Sequence, residues 1–142
     1  MVATGGIADA RGVAAALILG ASAVQIGTGL LRTPEAKLVP AWADAIGQAQ
    51  PEDTVPTRAF SGRLGRSIAT AYVKAANGAD APAPAPYPVQ RGLSQAMRDA
   101  GTKANDIDRM QAWAGQAARL APAEPAGTYV RRIWDEARAM LG

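Results

Sequence analysis

The sequence predicts an α/β chain, a short parallel strand–helix–strand unit followed by mainly helical chain. Three observations carry this. The stretch Thr4–Thr33 (TGGIADARGVAAALILGASAVQIGTGLLRT) runs through a strand end, an Ala/Leu-rich segment, a second short strand and a second glycine-rich strand end. Both glycine clusters, Gly5-Gly6 and Gly27-Thr28-Gly29, follow strand-like runs. In parallel βα architecture such ends share one edge of the sheet, where ligands bind. Beyond residue 88, apolar residues recur at helical spacing.

Taken in order, Met1-Val2-Ala3 is a short apolar strand ending at Gly5-Gly6. Asp9 stands at a helix N-cap, where its carboxylate can accept from open first-turn amides. Ala10–Leu19 favours helix, and Gly20 is placed to end it in the left-handed region. Ala23-Val24-Gln25-Ile26 is the second strand. By the period of two, Val24 and Ile26 face one way, and Ala23, Gln25 and Gly27 the other.

Thr33-Pro34-Glu35 predicts a helix start with Thr33 as cap, and a second helix follows over Ala41–Gln48 with Trp42 and Ile46 as its packing stripe. Gln50–Asp53 is a turn. Thr54–Phe60 is β-leaning, with Pro56 restricting it to an edge. Ser61-Gly62-Arg63 is a polar turn. A helix is predicted from Leu64 or Gly65 to Ala76, with Ile68, Tyr72 and Val73 inward and Asn77-Gly78 as its stop.

Residues 79–88 (ADAPAPAPYP) form a Pro/Ala linker of polyproline character, a spacer wrapping the body with Tyr87 tucked onto it. Leu93 and Met97 open a helix stopped near Gly101, and Ile107, Met110 and Trp113 continue at helical spacing. Gly115 interrupts that pattern, which points to a close approach or a turn. Tyr129–Leu141 is the terminal helix. Its stripe is Val130, Ile133, Trp134, Ala137 and Leu141, opposite Arg131, Arg132, Asp135 and Glu136. The chain divides into residues 1–50 (βα units), 51–78 (extended segment and helix), 79–88 (linker) and 89–142 (helical extension).

Composition removes several chemistries. The 142 residues contain no cysteine and no histidine, which excludes disulfides, thiolate catalysis and imidazole acid–base or metal chemistry within this chain. No metal-ligand cluster is expected. Lys+Arg 15 against Asp+Glu 12 leaves +3, and the local excess at Arg58, Arg63, Arg66 and Lys74 reads as a solvated basic face; no nucleic-acid partner is expected. Gly27-Thr28-Gly29 is not a dinucleotide fingerprint, because Arg32 occupies the place of its third small residue. No apolar run reaches the roughly 20 residues of a membrane span. Val13–Leu19 with Ala21-Ser22-Ala23 has the form of a secretory signal, but Asp9 and the absence of a basic leader argue against it. The expectation is a cytoplasmic protein.

The motifs themselves carry a resemblance. Gly5-Gly6-Ile7-Ala8-Asp9 with Arg11-Gly12, then Gln25-Ile26-Gly27-Thr28 and Thr33-Pro34-Glu35, resemble the C-terminal part of the nitronate monooxygenase (2-nitropropane dioxygenase-like) family. Thr57-Arg58-Ala59-Phe60-Ser61-Gly62-Arg63 and Trp113-Ala114-Gly115-Gln116 extend the match over most of the chain. The resemblance implies the last strand–helix units of a TIM (β/α)8 barrel, an incomplete barrel beginning at about the seventh strand. It implies FMN as cofactor, with its phosphate held by Gly5, Gly6, Gln25, Ile26, Gly27 and Thr28. On residue type alone, Gln25 reads as a core glutamine satisfied by backbone. Gln116 lies on the segment that the family turns toward the active site, within reach of the flavin edge or substrate; a capping turn with Trp113 in the core is the equal alternative. The implied activity is oxidation of alkyl nitronates with O2. The catalytic histidine of the family is expected outside this chain, so the isolated chain is not expected to turn over without the rest of the barrel or a partner chain. Alternatives are another flavin- or phosphate-binding barrel oxidoreductase, enoyl-reductase-like or inosine-monophosphate-dehydrogenase-like, and a non-catalytic helical interaction remnant.

Overall fold

The structure, a computed structural model, describes residues 1–142 and is mixed α/β. Strand β1 (Val2–Thr4) leads through helix α1 (Ala10–Ile18) to β2 (Ala23–Gln25), and the two strands pair in parallel with Val2 opposite Ala23 and Thr4 opposite Gln25. Asp9 caps α1, accepting from the Gly12 amide at 2.9 Å, and Gly20 ends the turn after it at φ +96°. The strand parity holds: Val24 and Ile26 pack on the helices, while Ala23, Gln25 and Gly27 are exposed.

Helix α2 (Pro40–Gln48) buries Ile46 completely. Before it, Pro34–Ala36 makes only a single 3-10 turn. Thr33 does not cap that turn; its hydroxyl donates back to the Leu30 carbonyl at 2.9 Å. Glu35 instead reaches across the chain to accept from the Ala126 amide, 3.1 Å from each carboxylate oxygen.

The helix expected from residue 64 or 65 to 76 is not formed as such. Gly65–Ile68 is strand β4, antiparallel to β3 (Thr54–Thr57), and only α3 (Ala71–Ala76) is helical, capped by Thr70. Long-range pairing decides the matter. The Ile68 amide donates to the Ala112 carbonyl at 2.9 Å and the Ala114 amide to the Arg66 carbonyl at 3.1 Å, so residues 112–114 lie along β4 as extended chain. Gly65 is required under the Trp113 ring, where an added Cβ would stand 2.8 Å from a ring carbon. For the same reason Ile107, Met110 and Trp113 share no helix; Ile107–Arg109 is one 3-10 turn and the rest is extended.

The Pro/Ala segment has no regular structure and lies back on the body. Its Ala85 carbonyl is so near Gly62 (φ +82°) that a Cβ there would clash with it. Tyr87 remains about half exposed beneath Arg63, whose guanidinium sits 4.2 Å from the ring centre. Helices α4 (Val89–Leu93) and α5 (Gln95–Lys103) follow. Leu93 is exposed, and α5 ends at Lys103, near Gly101 as expected, with Gly101 inside its last turn and pressed against Arg109. Buried Arg98 is held by neutral acceptors, among them Gln111 and Gln95 at 2.6 Å each.

Helix α6 (Ala126–Leu141) returns to the N-terminal unit. Ala10, Val13 and Ala14 of α1 pack with Tyr129, Ile133 and Ala137 of α6; the alanines let the two helices approach closely. Its inward stripe is rotated from the expected one. Tyr129, Ile133 and Ala137 are buried, whereas Val130 (49 %), Trp134 (48 %) and Leu141 (41 %) are largely exposed. A second core joins Ile46 and Ala49 to Ala114, Ala118 and Ala121. Phe60 links the hairpin to its neighbours, 5.4 Å from both the Tyr72 and Trp113 rings.

Candidate functional site

Because β1 and β2 are parallel, their carboxyl ends open on one edge, and the chain bends sharply at both. Gly5 and Gly6 have φ +92° and +70°, a region that residues bearing Cβ rarely adopt. Gly27 has ordinary angles (φ −101°, ψ −73°), and an added Cβ at Gly5, Gly6 or Gly27 would meet no atom within 4 Å. These three glycines therefore serve no packing need; they border open space. The space is one cavity of about 180 Å³ lined by Thr4, Gly5, Gly6, Ile7, Ala8, Gln25, Gly27, Thr28, Gly115 and Ala117.

The lining suits an anion. It contains no carboxylate, and the amides of Gly6, Ile7 and Gly27 donate to no acceptor in the chain. The helix end of α1 is already used by Asp9, and the cavity is lined by residues of the loops at the strand ends. Asp9 itself is held below the usual carboxylate range, first by the Gly12 amide and then by Arg11 at 2.8 Å. Thr28 Oγ1 accepts from the Gly115 amide at 3.0 Å, which leaves its own proton free to donate. Thr4 Oγ1 donates to the Gln25 carbonyl at 3.3 Å and ties the two strand ends together.

Of the residues singled out in the sequence, Gly5, Gly6, Gln25, Gly27 and Thr28 line this cavity. Gln25 is exposed there and not a core glutamine. The Ile26 side chain points away, into the apolar layer against α1 and α6. Gln116 is exposed and off the wall, between the lining residues Gly115 and Ala117. The basic residues lie elsewhere: Arg58 donates to the Gly62 carbonyl and Arg66 to the Thr54 carbonyl. Sequence reasoning does not bring Tyr129 to this site. Its hydroxyl, 1 % exposed as a residue, donates to the Ala8 carbonyl at 2.9 Å, and burial pushes its pKa upward. A four-residue spacing from Tyr129 through Ile133 to Ala137 was the available signal.

Fold and cavity together define a parallel βα segment with a glycine-lined pocket at its carboxyl edge, the place where α/β enzymes bind ligands. Comparison with known proteins gives the family. The nitronate monooxygenase family model matches residues 1–136, and the chain belongs to that family of flavin-dependent oxidoreductases. A probable nitronate monooxygenase of Staphylococcus aureus (strain MSSA476) is 36% identical over 141 residues, 99% of this chain and 39% of the relative. Nitroalkane oxidase from Streptomyces ansochromogenes superposes with a TM-score of 0.90 at 37% identity, over 99% of this chain and 41% of that one. FabK from Thermotoga maritima superposes at 0.78 and 29% identity, over 44% of its length. The chain thus spans about two fifths of the proteins it matches. No helix is long and apolar enough to cross a membrane.

Proposed function

We propose that this chain is the cofactor-phosphate end of an FMN-dependent nitronate monooxygenase, an enzyme that oxidises alkyl nitronates with O2. One observation carries the reading: two glycine bends on adjacent parallel strands border a single carboxylate-free cavity. The residues fit a phosphate. Gly5, Gly6 and Gly27 admit an oxygen to their backbone without a Cβ in the way, and Thr28 offers a hydroxyl proton. Gln25 stands on the wall as a polar side chain for the phosphate or a flavin carbonyl, and Ile26 contributes through its backbone while its side chain anchors the strand. Gln116, one residue from the wall, is assigned the flavin-edge or substrate side.

When bound, the flavin supplies the redox chemistry; the protein binds, orients and shields it. The resemblance implies a histidine as the base that takes the substrate proton; this chain has none, so in this reading that base belongs to the remaining barrel. In this reading residues 1–50 are the last βα units, the segments beyond form the extension, and the exposed edges of β1 and β2 are covered by further strands.

The test is to express the chain with its upstream coding sequence and examine colour and oxygen uptake. A yellow protein that consumes oxygen with an alkyl nitronate is expected. A colourless one overturns the flavin reading and favours the interaction remnant. The likeness to FabK supports a second reading, a related flavin oxidoreductase of other substrate; it predicts a yellow protein without nitronate-dependent uptake.

A further inference from the structure

We infer that Tyr129 of α6 is a positioning residue of the phosphate cradle, setting the geometry of both glycine bends from behind the cavity wall. This rests on the phosphate reading above and deepens it.

Three observations converge. The Tyr129 hydroxyl donates to the Ala8 carbonyl, in the loop that carries Gly5 and Gly6. The same hydroxyl closes on Gly29, two residues past Gly27, where an added Cβ would stand 2.5 Å from it. Only glycine leaves room there, so one phenol oxygen touches both loops. Thirdly, the ring is buried among Ala10, Val13, Ala14 and Ile133, which leaves it no freedom to follow a moving loop. Ala8 and Gly29 are themselves buried, so these contacts sit beneath the rim and not in the cavity.

The chemistry explains the value of the arrangement. A cradle of backbone amides binds an anion well only if its N–H groups already converge, because turning them at the moment of binding costs affinity. The Gly-Gly turn has little stiffness of its own. Fixing the Ala8 carbonyl fixes the Ala8–Asp9 peptide plane, two planes beyond the one that carries the Ile7 amide, and the contact at Gly29 fixes the other bend relative to it.

The experiment compares FMN with riboflavin, which lacks the phosphate, in the protein expressed with its upstream coding sequence. Tyr129→Phe removes the hydroxyl and keeps the ring. It is expected to weaken FMN binding about threefold to tenfold, to leave riboflavin binding unchanged, and to speed amide hydrogen exchange at Gly5–Ala8 in the flavin-free protein. Ile133→Val, a packing change on the same face, is expected to leave the FMN-to-riboflavin ratio as it was. Equal loss of both flavins in Tyr129→Phe, or an unchanged ratio, overturns the inference. If the unaltered protein binds FMN no better than riboflavin, the phosphate reading fails first, a separate outcome.

Discussion

Gly27→Ala separates folding from binding at this site. Gly27 has helical-type angles that alanine adopts freely, and its Cβ would meet no atom within 4 Å. The flavin-free protein should therefore lose no stability, and restriction of the unfolded chain should stabilise it by about 0.4–1 kcal/mol. Binding behaves otherwise. A methyl carbon keeps a neighbouring atom at about 3.5 Å, whereas a charge-assisted N–H···O bond needs about 2.8 Å. The methyl at the cavity wall would hold a phosphate oxygen off the amides. Loss of one hydrogen bond to a charged group costs about 1.5–3 kcal/mol, or roughly ten- to a hundredfold in affinity. Flavin fluorescence titration, with thermal melting of the flavin-free protein alongside, measures both. Unchanged FMN affinity would refute the assignment of this bend. A lowered melting temperature would refute the claim that Gly27 has no packing role.

Other outcomes test the scaffold. Asp9→Ala should cost about 1 kcal/mol through loss of the cap. The folded pKa of Asp9 is lowered from 3.8, so its contribution is present above that value and fades as pH falls through the lower folded value. Urea melts should show the mutant and the parent converging in acid. Ile133→Ala should cost about 2–5 kcal/mol as a core truncation, while Leu19→Ala, at a residue 83 % exposed, should stay within about 0.5 kcal/mol in the same urea assay. Gly65→Ala would drive a Cβ into the Trp113 ring and should destabilise by about 1–3 kcal/mol, with a shift in tryptophan emission.

What was legible followed how local the determinants are. Asp9, Gly20 and the parity of Val24, Gln25 and Ile26 depend on their immediate neighbours, and the first thirty residues folded as read. The glycines could be placed on one rim because a parallel crossover leaves them nowhere else. Residues 65–68 and 107–113 depart from the helical pattern because partners 45 residues distant decide their state: the buried Ser67 hydroxyl donates to the Ala112 carbonyl at 2.9 Å. Apolar spacing cannot see such a partner. The role of Tyr129 is hidden from the sequence for a related reason. Its ring belongs to the helix stripe, but its hydroxyl answers to Ala8, 121 positions earlier.

That separation has a consequence for biosynthesis. The loop that carries Ala8 leaves the ribosome well before its brace, which follows 121 residues later on the sixteen-residue helix α6. The rim must wait, without its brace, until those residues have been translated. A stop codon just before α6 would spare every cavity-lining residue and still deprive the two bends of their common support.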